Sequence, residues 1–137
     1  MTTSVAGLLD TSTVINLPRL TDATTLPDVP LISTITLAEL SVGPLLAVSE
    51  QERADRQAVL QQAESDFDPL PFDAAAARAF GRVAVALRRS GRKPQARTYD
   101  AMIAAVALAR DLPVHTSNPD DFAGIDGLTV IPVPIPE

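Results

Sequence analysis

The stretch VAGLLDTSTVINLP, residues 5–18, decides the fold. Its apolar run Val5–Leu9 stops abruptly at Asp10 and reads as a short buried strand. Thr11–Leu17 then places Val14, Ile15 and Leu17 at helical spacing, and Pro18 closes the segment. A buried strand that runs directly into a helix, with a carboxylate at the junction, opens an α/β unit. The alternation continues along the chain. Arg19–Pro30 reads as a loop and Leu31–Ser33 as a second strand. Ile35–Val48 reads as a helix bent near Gly43-Pro44, and Glu50–Ser65 as an exposed, Gln-rich helix. Phe67–Phe72 carries two prolines and is at best an irregular edge strand. Asp73 fits the N-cap of a long helix, Ala74–Ser90, stopped by Gly91. After a polar linker, Gly91–Arg97, an Ala-rich helix covers Tyr99–Arg110. Strands follow at Leu112–His115 and Leu128–Ile131, flanking a loop over Thr116–Gly127, and Pro132, Pro134 and Pro136 mark an extended tail. The expected fold is α/β: a small, mostly parallel sheet flanked by helices on both faces.

At 137 residues the chain suits one domain, residues 1–137. Apolar residues make up 46% but aromatics only 4%, with no Trp, so the core is expected to consist of Ala, Leu, Val and Ile. Phe67, Phe72, Phe80 and Tyr99 are too scattered for a base-stacking platform and read as core. With no cysteine, disulfides, thiolate metal sites and thiol nucleophiles are excluded. The single histidine, His115, excludes a His-rich metal cage and reads as a strand residue. The N-terminus lacks a basic n-region, and no apolar run approaches a membrane span, so a cytoplasmic protein is expected. The net charge of −6 speaks against nonspecific nucleic-acid binding. One segment departs from that balance. Arg78, Arg82, Arg88, Arg89, Arg92, Lys93 and Arg97 follow one another with no acid among them. That run fits either a solvated helix face or a contact with a polyanion or a partner.

In parallel sheets ligands bind beyond the C-terminal strand ends. Four acids far apart in sequence are expected there: Asp10, Glu39, Asp100 and Asp121, with Asp120 beside the last. Each has an ordinary alternative. Asp10 could cap the helix after it, and Thr36 with Glu39 fits a capping box. Asp100 could complement a helix dipole with Thr98 as N-cap, and Asp121 could be a turn residue. Together, and framed by apolar neighbours such as Leu37-Ala38 and Ala101-Met102-Ile103, they point instead to a partly buried cleft. Crowded carboxylates stay charged only with a cation among them. Oxygen ligands without His or Cys favour Mg²⁺ or Mn²⁺.

The chain is similar to the PIN domains, and among them to the VapC-type ribonuclease toxins of bacterial type II toxin–antitoxin pairs. The residues that carry the resemblance are Leu9-Asp10-Thr11-Ser12 with Val14-Ile15, Thr36-Leu37-Ala38-Glu39-Leu40 before Gly43, Tyr99-Asp100-Ala101-Met102-Ile103-Ala104-Ala105, and Thr116-Ser117-Asn118-Pro119-Asp120-Asp121-Phe122. They occur in the family's order across essentially the whole chain. The resemblance implies a Mg²⁺-dependent endoribonuclease that hydrolyses RNA phosphodiester bonds and leaves a 5′-phosphate, with Mn²⁺ a possible substitute. It implies Asp10 and Asp100 as the most direct metal ligands and Glu39 as the third acid. Asp121 matches the fourth, with Asn118 and Asp120 as alternates, and Ser12 and Thr116 match hydroxyls that line the site. Leu17, Leu20, Leu40, Leu45 and Leu46 read mostly as core; the resemblance implies that helices in this region also form the groove for a VapB-type antitoxin, and it implies a homodimer. The competing reading is a PIN fold that only binds RNA or serves as a scaffold. A receiver domain would need a lysine after a later strand, and a haloacid-dehalogenase-like phosphatase a second Asp at position 12. A dinucleotide-binding module would need G-x-G-x-x-G, which is absent.

Overall fold

A computed structural model of the protein describes residues 5–92 and 97–136. Four strands, β1 (Ala6–Leu9), β2 (Val29–Leu31), β3 (Val114–Thr116) and β4 (Val130–Pro132), form one parallel sheet in the order β2-β1-β3-β4. Leu8 stands opposite Leu31 on one side and Val114 on the other. Five α-helices connect them: α1 (Thr11–Asn16), α2 (Thr34–Leu45), α3 (Glu50–Asp66), α4 (Ala74–Arg89) and α5 (Thr98–Ala109). From β1 the chain steps one way to β2, then crosses back to β3 on the other side of β1. The switch point lies between β1 and β3, where connections leaving in opposite directions open a crevice. Asp10 follows β1 directly, and Thr116 ends β3.

Successive side chains of a strand face opposite sides of the sheet. Leu8 therefore enters one core with Ala76, Ala79, Val83 and Leu87 of α4 and Ala101, Ala104 and Ala105 of α5. Leu9 enters a second with Val14, Ile32, Leu40 and Ala63, from the α1–α2–α3 side. The expected helices on both faces are thus present. Helix α5 buries Ala101 and the whole run Ile103–Ala107, as an apolar helix enclosed by its neighbours does. Helix α4 is the opposite case, with an alanine-rich buried stripe and an exposed arginine face.

Several boundaries differ from expectation. Strand β2 covers Val29–Leu31 rather than Leu31–Ser33; it stops at Leu31 because Ser33 already turns the chain as N-cap of α2 and accepts from Thr36 N at 3.3 Å. Pro30 is tolerated in β2, and Pro132 in β4, because both are edge strands. Helix α2 ends at Leu45, with Pro44 in its last turn, instead of continuing to Val48. Phe67–Phe72 is reduced to one parallel bridge, Ser33 to Leu70, with Thr34 N donating to Leu70 O at 2.9 Å. Asp73 caps α4 as expected, accepting from Ala76 N at 3.0 Å, and Gly91 takes the left-handed φ of 81°. Part of the Gly91–Arg97 linker, including Lys93, lies outside the described residues. The core is not purely aliphatic: Phe122 is fully buried within it. Phe72 and Phe80 pack edge to face at 6.4 Å against the same core, and Phe67 is half-buried against the other. Tyr99, Leu45 and Leu46 depart from the core assignment, at 55%, 84% and 69% exposed, because α5 and the C-terminal end of α2 present those positions to solvent. No helix among the described residues is long and apolar enough to cross a membrane.

Candidate active site

Asp10 occupies the turn where β1 becomes α1, in extended conformation, and only 3% of it is exposed. Its Oδ1 accepts from Thr13 N at 3.0 Å and Thr13 Oγ1 at 2.7 Å. Its Oδ2 accepts from Thr116 Oγ1 at 2.6 Å, and Ser12 Oγ approaches both oxygens at 3.0 and 2.9 Å. Thr116 Oγ1 in turn accepts from Asn118 N at 2.9 Å, which orients its hydroxyl hydrogen toward Asp10. Asp10 is therefore a helix cap and a crevice carboxylate at once. Backbone and hydroxyl donors of α1, and the Thr116 hydroxyl at the end of β3, hold this carboxylate in place at the switch point.

Glu39 is not part of a capping box. Helix α2 begins at Thr34 under its Ser33 cap, so Glu39 falls in the second turn, and its side chain turns toward α1 instead. Its Oε1 accepts from Thr11 Oγ1 at 2.7 Å, and that hydroxyl also lies 3.0 Å from Thr36 Oγ1. Burial raises the Glu39 pKa, the Thr11 hydrogen bond opposes the rise, and the Asp10 charge adds to it.

Asp100 lies half-buried in the first turn of α5. Burial comes first among the causes that push its pKa up to about 6, followed by the charges of Asp121, Glu39 and Asp10, while Arg97 pulls it down. That one carboxylate feels the other three acids expected from the sequence. The N-cap of α5 is Arg97, so Thr98 is the first residue of the helix rather than its N-cap. Asp121 sits in the 3₁₀ turn Pro119–Phe122 and forms an ion pair with Arg97. Of the three candidates in that loop, Asp121 is the one whose charge reaches Asp100; Asn118 and Asp120 are exposed.

Sequence reasoning passed over Arg97 as Asp121's partner, and Thr11 and Thr13 as holders of Glu39 and Asp10. The Thr-Ser-Thr run after Asp10 was the available signal for the hydroxyls. Arg97 and Asp121, 24 residues apart, left none. Four carboxylates facing one guanidinium leave a surplus of negative charge that a hard cation would relieve. Among the described residues, no three ligand-type side chains already form a closed metal cage. His115 stays apart from the acids. It is buried in β3, and its Nδ1 donates to Thr25 O at 2.8 Å while Nε2 has no partner among the described residues.

Known proteins share this fold. The PIN domain family model matches residues 8–128. The chain is 42% identical to Ribonuclease VapC5 of Mycobacterium tuberculosis over 134 residues, 96% of each chain. It is 37% identical to the tRNA(fMet)-specific endonuclease VapC of Shigella flexneri over 97 residues, 71% of this chain and 70% of that one. Its structure superposes on a member of the VapBC family of toxin–antitoxin systems, VapBC-5 from Mycobacterium tuberculosis, with a TM-score of 0.83 and 43% identity, covering 94% of this chain and 99% of that one. The chain belongs to the PIN domain family and, within it, to the VapC proteins.

Proposed function

We propose that the chain is the toxin of a toxin–antitoxin pair and acts as a Mg²⁺-dependent endoribonuclease on RNA phosphodiester bonds in the cytoplasm. The observation that carries this reading is the convergence of Asp10, Glu39 and Asp121 on the Asp100 carboxylate at the switch point of the sheet. Asp10 and Asp100 would hold the cation, Asp10 rigidly through its hydroxyl and backbone donors, Asp100 through its place in the first turn of α5. Bound there, Mg²⁺ supplies Lewis-acid activation of water and charge neutralisation at the phosphate. Glu39 is fixed to Thr11 through Oε1, which leaves Oε2 to accept a proton from water. Asp121 is held by Arg97, whose guanidinium adds a positive charge near Asp100.

The partner reading rests on the solved relatives, which are VapBC complexes, and on an exposed apolar edge. Leu45 and Val48 are 84% and 92% exposed, and a cavity of about 410 Å³ beside Glu39 is lined by Ile15, Leu40, Gly43, Arg56 and Val59. That edge would take an antitoxin segment close enough to the acids to block them. A homodimer completes the assembly. The deciding experiment is cleavage of RNA by the purified chain with Mg²⁺, with Mn²⁺, with Ca²⁺ and with excess EDTA. Activity is expected with the first two, little with Ca²⁺, and none in EDTA. RNA binding without cleavage under every condition would replace the nuclease with a binding or scaffold module. Cleavage that persists in EDTA would remove the metal.

A further inference from the structure

We propose that the arginine face of α4 is a track for the RNA backbone leading away from the active site, an inference that rests on the RNA-cleaving reading above. Arg78, Arg82 and Arg89 line a groove of about 570 Å³ together with Gly81 and Val85. These positions recur at i, i+4 and i+11, which puts the three guanidinium groups on one side of the helix. At 1.5 Å per residue the stripe spans about 16 Å. All three arginines are exposed, and among the described residues none is paired with a carboxylate. Only Asp126 contributes an acid to the lining. In a chain of net charge −6, three unpaired cations in one groove are a local reversal of sign.

The groove also points at the site. The opposite end of the helix pair is marked by an ion pair, 3.5 Å, between the α4 cap Asp73 and the α5 cap Arg110. The Arg89 end of α4 therefore neighbours the α5 start, where Arg97 and Asp100 sit. The second wall continues from the site as well. Asp121 leads within a few residues to Gly124, which packs so closely on the end of α4 that a Cβ there would meet Ser90 Oγ at 2.9 Å. Asp126, two residues on, reaches the groove. Gly81 carries no side chain and has open space above it, and Val85 is half-exposed, so the floor is low and partly apolar. A strand of sugar and phosphate fits that pattern, with cations along the rims and an unobstructed floor. A protein helix would want the apolar anchors found instead beside Leu40 and Leu45.

The test uses the full chain carrying Asp100→Asn, so that RNA stays uncut, and a labelled single-stranded oligouridine of about 12 nucleotides, within the usual range of single-strand site sizes. Binding is followed by anisotropy from about 50 to about 200 mM NaCl without metal. Each single-strand phosphate contact contributes about 0.7 to the salt slope. Replacing Arg78, Arg82 and Arg89 together by Gln is expected to flatten the slope by about 2 and to weaken binding about 100-fold near 0.1 M salt. The triple Lys variant, which keeps the charges, is expected to hold the slope. An unchanged slope in the Gln variant overturns the track while leaving the nuclease reading intact. A Gln variant that binds RNA normally but no longer co-purifies with its antitoxin also overturns it, in favour of a protein-docking face. If the parent protein neither binds nor, with Asp100 restored, cleaves RNA, the nuclease reading fails and the track with it.

Discussion

Replacing Asp100 and Asp10 in turn by Asn should move stability in opposite directions while abolishing cleavage in both cases. At Asp100 the fold disfavours the charged form, raising the pKa from 3.8 to about 6. That rise corresponds to about 3 kcal/mol. Because the side chain is half-exposed, solvent screening reduces the usable figure to about 1–2 kcal/mol. The sign follows from linkage. A raised carboxyl pKa adds stability that is complete below pH 3.8 and is lost as pH rises through about 6. Metal-free wild type at pH 8 therefore carries the full repulsion, and Asp100→Asn should be more stable by about 1–2 kcal/mol there. At pH 4 most of that gain should vanish, because the wild-type carboxyl is then largely protonated. At Asp10 the balance is reversed. Crowding alone would let Asn replace it at no cost in stability, but this carboxylate is enclosed by Thr13 N, Thr13 Oγ1, Ser12 Oγ and Thr116 Oγ1, all arranged to donate. An amide NH₂ placed among them strands at least one buried donor, at about 1–3 kcal/mol. Thermal unfolding in chelator at pH 4 and pH 8, alongside RNA cleavage in Mg²⁺, reads both effects. Equal stability of Asp100→Asn and wild type at pH 8 would refute the electrostatic argument, and near wild-type cleavage by either variant would refute the site.

Three further outcomes are expected. Saturating Mg²⁺ should raise the wild-type melting temperature by mass action and that of Asp100→Asn much less, as differential scanning fluorimetry would show. Gly7→Ala should destabilise the fold by about 1–3 kcal/mol, because the new Cβ would lie 2.5 Å from the buried His115 ring; denaturant unfolding checks it, and a neutral result would mean that the ring has room to shift. Sedimentation at micromolar concentration should report a homodimer, and a monomer would remove that part of the assembly.

Much of this arrangement is written locally. Asp73 and Gly91 bracket α4 because a side-chain cap and a left-handed stop are set by the residues at those two places. The apolar run before Asp10 signals β1, and the Ala-rich run after Asp100 signals a helix that neighbours can approach closely. The misses were non-local. Thr36 and Glu39 satisfy the capping-box spacing, yet Ser33, arriving straight from the sheet, caps α2 first and frees Glu39 to meet Thr11. Tyr99 shares a helix with buried alanines but sits at a solvent-facing angle, while Phe122 enters the core only because its loop folds under β4 and α5. The Arg97–Asp121 pair joins two segments whose proximity is decided by the strand order, which no spacing in the chain encodes.

The double duty of Asp10, cap and crevice carboxylate together, has a genetic consequence. A cell carrying an active toxin gene is relieved by any substitution that silences it, but the silenced products would not be alike. Substitutions at Asp100 would leave a well-folded, inert chain that still engages the antitoxin and so competes with any intact toxin for it. Substitutions at Asp10 would silence the chain by weakening the fold as well, giving a short-lived product that ties up no antitoxin. Alleles recovered from an escape selection should therefore divide by steady-state protein level, with Asp100 variants abundant and Asp10 variants scarce.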